Sequence, residues 1–263
     1  NQMTVAAWQG DVNAIAFDAS EIQDALLRLD QPCYVVRQGD RIGVTNQGYA
    51  APAGSGGLDV VAMAFPLPPQ QFGDAAFKQT YGVDYAYMGG AMANAIASED
   101  LVIALANGGF LGSFGSAGIV PDRLLGTIQR LAAALPGKIY AFNLIHSPHE
   151  PELERRNVEL FLQHGIQAVE ASAYLDLTPD VVRYRAAGLR ETPQGDIIVG
   201  NRVIVKLSRR EVATKFMQPA PADMLQTLVQ QGLITARQAE LAAHVPVADD
   251  VTAEADSGGH TDN

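Results

Sequence analysis

The chain has 263 residues, 48% of them hydrophobic and 18% charged, and its formal net charge at pH 7 is −11. The acidic balance argues against a nucleic-acid-binding protein, because such proteins present a basic face. No apolar run approaches the roughly eighteen residues of a membrane span, so no membrane segment is predicted. The lone cysteine, Cys33, excludes an internal disulfide framework and favours a cytoplasmic location.

Residues 1–65 are predicted to form a small α+β unit. The stretch 18–30 has the apolar spacing of an amphipathic helix, with Asp18 or Ser20 as its N-cap. The following segment, CYVVRQGDRIGVTNQ, predicts two strands around a tight turn. Residues 66–80 are predicted to be a proline-rich linker, because their prolines oppose both a helix and an inner strand.

From residue 81 onward, short apolar runs of strand length alternate with stretches of helical period, which predicts a parallel sheet with helices on its faces. Polar or glycine residues end nearly every predicted strand: Gly89 with Gly90, Gly112 with Ser113, Asn143, Glu170, Lys206 and His260. An open doubly wound sheet would concentrate such residues at one crevice, whereas a barrel brings all these ends to one mouth. The pattern favours a TIM-type (β/α)8 barrel.

Six β/α units are counted in residues 81–263, so the barrel is predicted to be incomplete at its C-terminal end. A full eight-unit barrel takes about 250 residues.

Three motifs allow a functional and a structural interpretation. The glycine-dense stretch 108–118 would let the backbone approach a ligand, or would form a tight turn packed on a helix. His146 and His149 are separated by Pro148, which favours a helix-start cap at the surface over a metal site, and no metal site is predicted. Lys206 ends a buried strand, where a lysine can hold an anionic ring or a phosphate.

His260 has the strongest claim to catalysis. It follows Gly258 and Gly259, which would allow the backbone to turn closely against a ligand. Histidine is the side chain best suited to proton transfer near neutral pH. A lone histidine is more often a plain polar residue, but the position at a strand end favours function.

Four segments together resemble one family. They are MGGAMANAIASEDLVIALANGGFLGSFGSAGI, YAFNLIHSP, VIVKLSRREVATKFMQPAP and ADSGGHTDN. In this order they are similar to the trans-acting, FMN-dependent enoyl reductases of polyketide and polyunsaturated-fatty-acid synthases. That group belongs to the nitronate monooxygenase-like FMN barrels.

The resemblance implies reduction, by NAD(P)H through FMN, of the α,β double bond of an enoyl thioester carried on an acyl carrier protein. The implied partners are synthase modules, and a homodimer is left open. Residues expected to contact FMN are Gly89, Gly90, Ala91 and Met92 through their backbone, Asn143 and Lys206 at the ring system, and Gly258 and Gly259 at its edge. The resemblance makes His260 the proton donor or a substrate-orienting group.

Two other functions remain open: a flavin oxidase like nitronate monooxygenase, and a non-catalytic docking module of a synthase. In the family, the two units after the Gly-Gly-His stretch bind the FMN phosphate. We therefore expect that the natural chain continues or that a partner supplies these units, and that residues 1–263 alone are not a stable flavin-loaded enzyme.

Overall fold

A computed structural model describes residues 6–254 and shows two compact units, Asn1–Phe72 and Gly73–Asn263. The boundary falls inside the stretch 66–80 that the prolines predict to be a linker. This stretch also contains a short 3-10 helix, Pro69–Gln71, and most of a regular helix, Ala75–Tyr81.

The N-terminal unit is an antiparallel sheet with one α-helix. Its elements are β1 (Ala6–Gln9), α1 (Ala19–Leu26), β2 (Cys33–Gln38), β3 (Arg41–Thr45), β4 (Tyr49–Pro52) and β5 (Leu58–Ala64), in the sheet order β3-β2-β5-β1-β4. The carboxylate of Asp18 caps α1. Asp18 was one of the two predicted N-caps, and Ser20 was the other. Trp8 is the centre of the core, with only 1% of its surface exposed. Strands β4 and β5 are not predicted by the sequence patterns.

The second unit contains six parallel strands within the described residues. They are β6 (Met88–Gly89), β7 (Leu111–Phe114), β8 (Ala141–Ile145), β9 (Ala168–Ser172), β12 (Arg202–Leu207) and β13 (Asp250–Ala253), and neighbours in the sheet follow chain order throughout. A doubly wound sheet would reverse its strand order at a switch point, and no reversal occurs among these strands. The predicted architecture, an incomplete TIM-type barrel, is confirmed.

The helices connect successive strands, except the first helix, which precedes β6 and packs against the inner face of the sheet. They are α2 (Ala75–Tyr81), α3 (Glu99–Asn107), α4 (Pro121–Ala134), α5 (Pro151–Gln163), α6 (Pro179–Ala187), α7 (Arg210–Phe216), α8 (Ala222–Gln230) and α9 (Ala236–Ala242). Ser98 caps α3 and Thr178 caps α6 through their side chains, and both are residue types that N-cap positions favour. None of the helices formed by residues 6–254 is long and apolar enough to cross a membrane.

Two elements of this unit differ from the sequence interpretation. The segment after Lys206, whose basic residues favour a solvated or partner-facing surface, contains α7. The residues between α6 and β12 form a hairpin of β10 (Leu189–Glu191) and β11 (Ile197–Val199), which no periodicity indicated.

The two faces of the parallel sheet carry different cores. Side chains on the helix-facing side, among them Phe114, Phe142 and Val205, join one large apolar core. The inner face packs around Tyr81 of α2 through a set of residues here named the apolar layer: Leu111, Ala141, Ala168 and Ile204. The Tyr81 hydroxyl donates a 2.7 Å hydrogen bond to Asp250 Oδ2, which anchors α2 to the first residue of β13.

Candidate active site at the carboxyl ends of the barrel strands

A layer of polar side chains lies directly beyond the apolar layer. Side chains alternate between the faces of a strand, so the residue two positions further on occupies the same face about 7 Å along. For the four strands of the apolar layer these residues are Ser113, Asn143, Glu170 and Lys206, here named the polar layer. All lie at or near the carboxyl ends of their strands, where active sites of TIM-type barrels are built.

Glu170 connects this layer to the segment after β6. Its side chain is buried, and its Oε2 accepts a 2.7 Å hydrogen bond from the backbone N–H of Ala91. A methyl group on Gly90 would lie 3.3 Å from Glu170 Oε1, so Gly90 also faces the polar layer. A methyl group on Gly89 would instead collide with Leu105, so Gly89 faces helix α3.

Asn143 is held in place through its side-chain Nδ2 and its backbone oxygen. Its Nδ2 donates to the backbone oxygen of Glu170 at 3.1 Å and to Ser172 Oγ at 2.8 Å. The hydroxyl of Ser116 donates to the Asn143 backbone oxygen. Both N–H bonds of the amide are therefore used, and Oδ1 remains as an acceptor without a hydrogen-bond partner in residues 6–254.

Lys206 lies at the rim of the site and is partly solvated. Its Nζ is 3.1 Å from Glu254 Oε1, and about a quarter of each side chain is exposed. Both residues line a small depression that includes Ala173 and Arg209. Lys206 is therefore a cation at the rim that is paired with a partly exposed carboxylate.

The polar layer carries both hydrogen-bond donors and hydrogen-bond acceptors. Ser113 Oγ is buried and finds no hydrogen-bond partner in the described part of the chain. Buried hydroxyls are normally paired, so this unpaired hydroxyl is the kind of group that a bound polar ligand would satisfy. Together with Asn143 Oδ1 and Lys206 Nζ, it supplies the mixed donor and acceptor set that an isoalloxazine ring requires. The chemistry of these side chains is therefore compatible with a flavin ring.

The glycine-dense stretch 108–118 is explained by packing on its own neighbours. A methyl group on Gly115 would lie 1.6 Å from the backbone oxygen of Met92, and one on Gly118 would lie 2.2 Å from Asn94 Oδ1. Gly112 is pressed against Val102 of α3 in the same way. This supports the structural interpretation of the motif, since the stretch lies close against the segment that follows Gly90 and Ala91.

The remaining predicted residues divide into two groups. Gly258, Gly259 and His260 lie outside the described residues. Met92 lies beside Ala91, but its backbone oxygen accepts a hydrogen bond from the N–H of Ala97 at 3.2 Å. The structure thus brings together Gly90, Ala91, Asn143 and Lys206.

The histidine-rich segment after β8 forms a contact that the sequence did not predict. His146 Nδ1 is 2.9 Å from Glu154 Oε2, a buried carboxylate on α5. Among residues 6–254, no group of three or more histidine, cysteine, aspartate or glutamate side chains is placed to hold a metal ion.

Three residues of the site have a role that sequence reasoning missed. Glu170 and Ser113 were noted only as polar ends of strands, and Ser172 was not noted at all. The useful signal for Ser172 is its spacing: it follows Glu170 by two residues and so lies on the same face of β9.

Comparison with known proteins places this geometry in context. Residues 8–69 match the family described as the fatty acid synthase subunit PfaD N-terminal domain. One of the polyunsaturated fatty acid synthase subunits from Thraustochytrium sp. is 46% identical over 250 residues, which are 95% of this chain and 16% of that protein. Polyketide biosynthesis protein PksE from Bacillus subtilis is 43% identical over 197 residues, 74% of this chain and 26% of that protein.

The chain is similar to a polyunsaturated fatty acid synthase subunit and to a polyketide biosynthesis protein. A solved structure agrees with this: the enoyl reductase domain of MlnA, from the macrolactin biosynthesis cluster of Bacillus amyloliquefaciens, superposes with a TM-score of 0.68 at 35% identity. The match covers 70% of this chain and 42% of that domain. The resemblance drawn from the four segments is confirmed. This chain spans only 16% and 26% of the lengths of these two relatives. The activities of the whole relatives are therefore not assigned to it.

Proposed function

We propose that this protein binds FMN at the polar layer and reduces the α,β double bond of an enoyl thioester, with NAD(P)H as electron donor. The observation that carries the proposal is the polar layer itself: Asn143, Glu170 and Lys206 share one face at the carboxyl ends of adjacent parallel strands. The likeness to the MlnA enoyl reductase domain supports the reaction class.

The roles of the site residues follow from their chemistry. When bound, FMN would supply the hydride chemistry that links NAD(P)H to the β-carbon of the thioester. Asn143 Oδ1 would accept a hydrogen bond from a ring N–H, while Lys206 Nζ would stabilise negative charge on the ring. His260 would donate its proton to the α-carbon, which completes the reduction.

The substrate is proposed to be delivered by an acyl carrier protein, in the synthesis of a polyketide or a polyunsaturated fatty acid. The relatives support this setting, because their names assign them to polyunsaturated fatty acid synthases and polyketide biosynthesis. Synthase modules would be the partners.

The first experiment is a visible absorption spectrum of the purified, full-length natural protein, with mass analysis of the small molecule that heat releases. A flavin spectrum with FMN released is the expected result. NAD(P)H oxidation is then followed with a crotonyl thioester, and O2 consumption is followed separately with a nitronate in the absence of NAD(P)H. Turnover of the thioester supports enoyl reduction, and turnover of the nitronate alone would contradict it.

Replacement of His260 tests the proton donor. His260→Ala is expected to lower thioester reduction about 100-fold while FMN stays bound, a typical loss for a general acid. His244→Ala is the matched control, because His244 is exposed at the end of α9. Unchanged turnover in His260→Ala would rule out His260 as the proton donor. A colourless full-length protein would contradict the whole proposal and favour a docking module.

A further inference from the structure

A second buried carboxylate lies behind the candidate site, on the helix-facing side of β8. Glu154 of α5 is 2% exposed, and no lysine or arginine in residues 6–254 hydrogen-bonds to it. Three side chains donate to its oxygens: His146 Nδ1 at 2.9 Å, Tyr174 OH at 2.8 Å and Thr178 Oγ1. Because burying a carboxylate is costly unless it is well bonded, these donors hold the group in place.

Two of the donors flank Ser172. Tyr174 lies two residues after Ser172, and Ala173 between them has φ +62, a left-handed conformation that a residue with a Cβ adopts only at a cost. From the other side, the backbone N–H of His146 donates to the Ser172 backbone oxygen at 3.0 Å. The bonds to Glu154 therefore keep the Ala173 turn in its strained form.

Burial of Tyr174 keeps its hydroxyl protonated, so that it can donate to Glu154. Loss of solvent around the ring, together with the negative charge of Glu154, raises the pKa of the Tyr174 hydroxyl well above its usual range. The hydroxyl remains a donor, and its ring also stacks on His146 at a centroid distance of 5.2 Å. The turn is thus fixed by a hydrogen bond and by aromatic packing.

Ser172 transmits this geometry to the site. Its Oγ accepts one N–H bond of Asn143, and the backbone oxygen of Glu170 accepts the other. These two acceptors determine the orientation of the Asn143 amide, with Oδ1 as the end offered to a ligand. A displaced Ser172 would leave the amide free to rotate and offer a donor instead.

We propose that Glu154 is a positioning residue: by holding the Ala173 turn it places Ser172, and through Ser172 it orients Asn143 so that Oδ1 accepts from a ring N–H. The Asn143 contact rests on the proposed function. The class of ligand is a heterocycle with an imide N–H, as in flavins.

The structural half is tested without any ligand, by hydrogen–deuterium exchange of the full-length protein. Glu154→Gln turns one acceptor oxygen into a donor that faces three donors, so residues 170–178 should exchange faster. Glu152→Gln is the matched control, because Glu152 lies in the same first turn of α5 but its side chain is 63% exposed. Equal exchange in both variants would overturn the proposal.

The functional half is tested by FMN titration of deflavinated protein, with flavin fluorescence as the readout. Glu154→Gln and Asn143→Ala are each expected to raise the Kd about tenfold, within the range found for residues of one hydrogen-bond network. The double variant should bind no more weakly than Asn143→Ala alone, because both changes remove the same contact. Additive losses would overturn the proposed coupling.

Two further variants keep the test decisive. Ser172→Ala should weaken FMN binding as Glu154→Gln does, yet leave the exchange of residues 173–178 unchanged. If Glu154→Gln does not fold, Tyr174→Phe removes one donor and should show the same pattern more weakly. Wild-type protein that binds no FMN would contradict the proposed function, and the exchange experiment would still decide whether Glu154 holds the turn.

Discussion

The backbone N–H of Ala91 donates a 2.7 Å hydrogen bond to the carboxylate of Glu170, and this bond spans the mouth of the barrel. Ala91 follows β6 and Glu170 lies within β9, and these two strands are separated in the sheet by β7 and β8. The contact therefore crosses the inner face instead of running along the strand ladder. It ties the segment after β6 to the polar layer.

Removing the acceptor is expected to destabilise this connection. Glu170→Ala should lower the free energy of unfolding by about 1–3 kcal/mol, because the N–H of Ala91 would lose its partner in a buried site. Glu170→Gln keeps an acceptor oxygen and should cost less. Urea unfolding followed by circular dichroism makes the comparison, and equal losses in the two variants would show that the bond itself is unimportant.

Lys206 offers a test of the electrostatics of the site. With FMN bound as proposed, Lys206→Met should lower the midpoint reduction potential of the flavin by about 30 mV, which is a tenfold change in the two-electron equilibrium. The reason is that a nearby cation stabilises the negative charge of the reduced ring. Potentiometry with a reference dye measures the shift. Lys138→Met is the control, because Lys138 precedes β8 and lies at the amino end of the sheet; a similar shift there would contradict the assignment.

The buried hydroxyl of Tyr81 is expected to make the free energy of unfolding depend on pH. Burial, and then the hydrogen bond to Asp250, raise the pKa of the Tyr81 hydroxyl far above its ordinary value of 10.0. Because the pKa is raised in the folded state, the contribution of the Tyr81 hydroxyl to the free energy of unfolding is complete below pH 10. It is lost progressively above pH 10, where the hydroxyl ionises in the unfolded chain. Near neutral pH, the free energy of unfolding of Tyr81→Phe should be about 1–3 kcal/mol lower than that of the wild type. Above pH 10 it should decline less steeply than that of the wild type.

Denaturant unfolding at several pH values measures both effects of Tyr81→Phe. Tyr87→Phe is the control, because the Tyr87 side chain is 61% exposed. A parallel decline of wild type and Tyr81→Phe above pH 10 would contradict the prediction.

Two glycines of the barrel should respond in opposite directions to alanine. Gly115→Ala places a methyl group 1.6 Å from the Met92 backbone oxygen, so the segment after β6 must shift and stability should fall by about 1–3 kcal/mol. Gly126 lies inside α4 with nothing within 4 Å of the added methyl group, so Gly126→Ala should gain about 0.5–1 kcal/mol. Thermal unfolding of both variants checks the signs, and a stabilised Gly115→Ala would disprove the packing argument.

Much of the fold could be predicted because its signals are local. Ser98 and Thr178 are N-cap residues of α3 and α6. A proline is the first residue of α4, α5 and α6: Pro121, Pro151 and Pro179. Helix α7 was missed because its seven residues are too few to show a period. The hairpin of β10 and β11 was missed for the same reason, since each of its strands has three residues.

The candidate site could be predicted as a position but not as a network. Spacing places Asn143, Glu170 and Lys206 at the ends of strands, and a parallel sheet brings such ends together. Spacing cannot show that Gly90 turns toward Glu170 while Gly89 turns toward α3, because that depends on the path of the chain between β6 and α3.

The sequence by itself determined the alternation of strands and helices and the polar ends of the strands, because caps and periodicity act between residues close in the chain. Only the tertiary structure decided the partners of the buried carboxylates. Ala91 reaches Glu170 across 79 positions and Tyr174 reaches Glu154 across 20, and each bond forms only once the strands and helices have packed together. A hydrogen bond selects its partner by distance and direction in space, and those are properties of the folded chain alone.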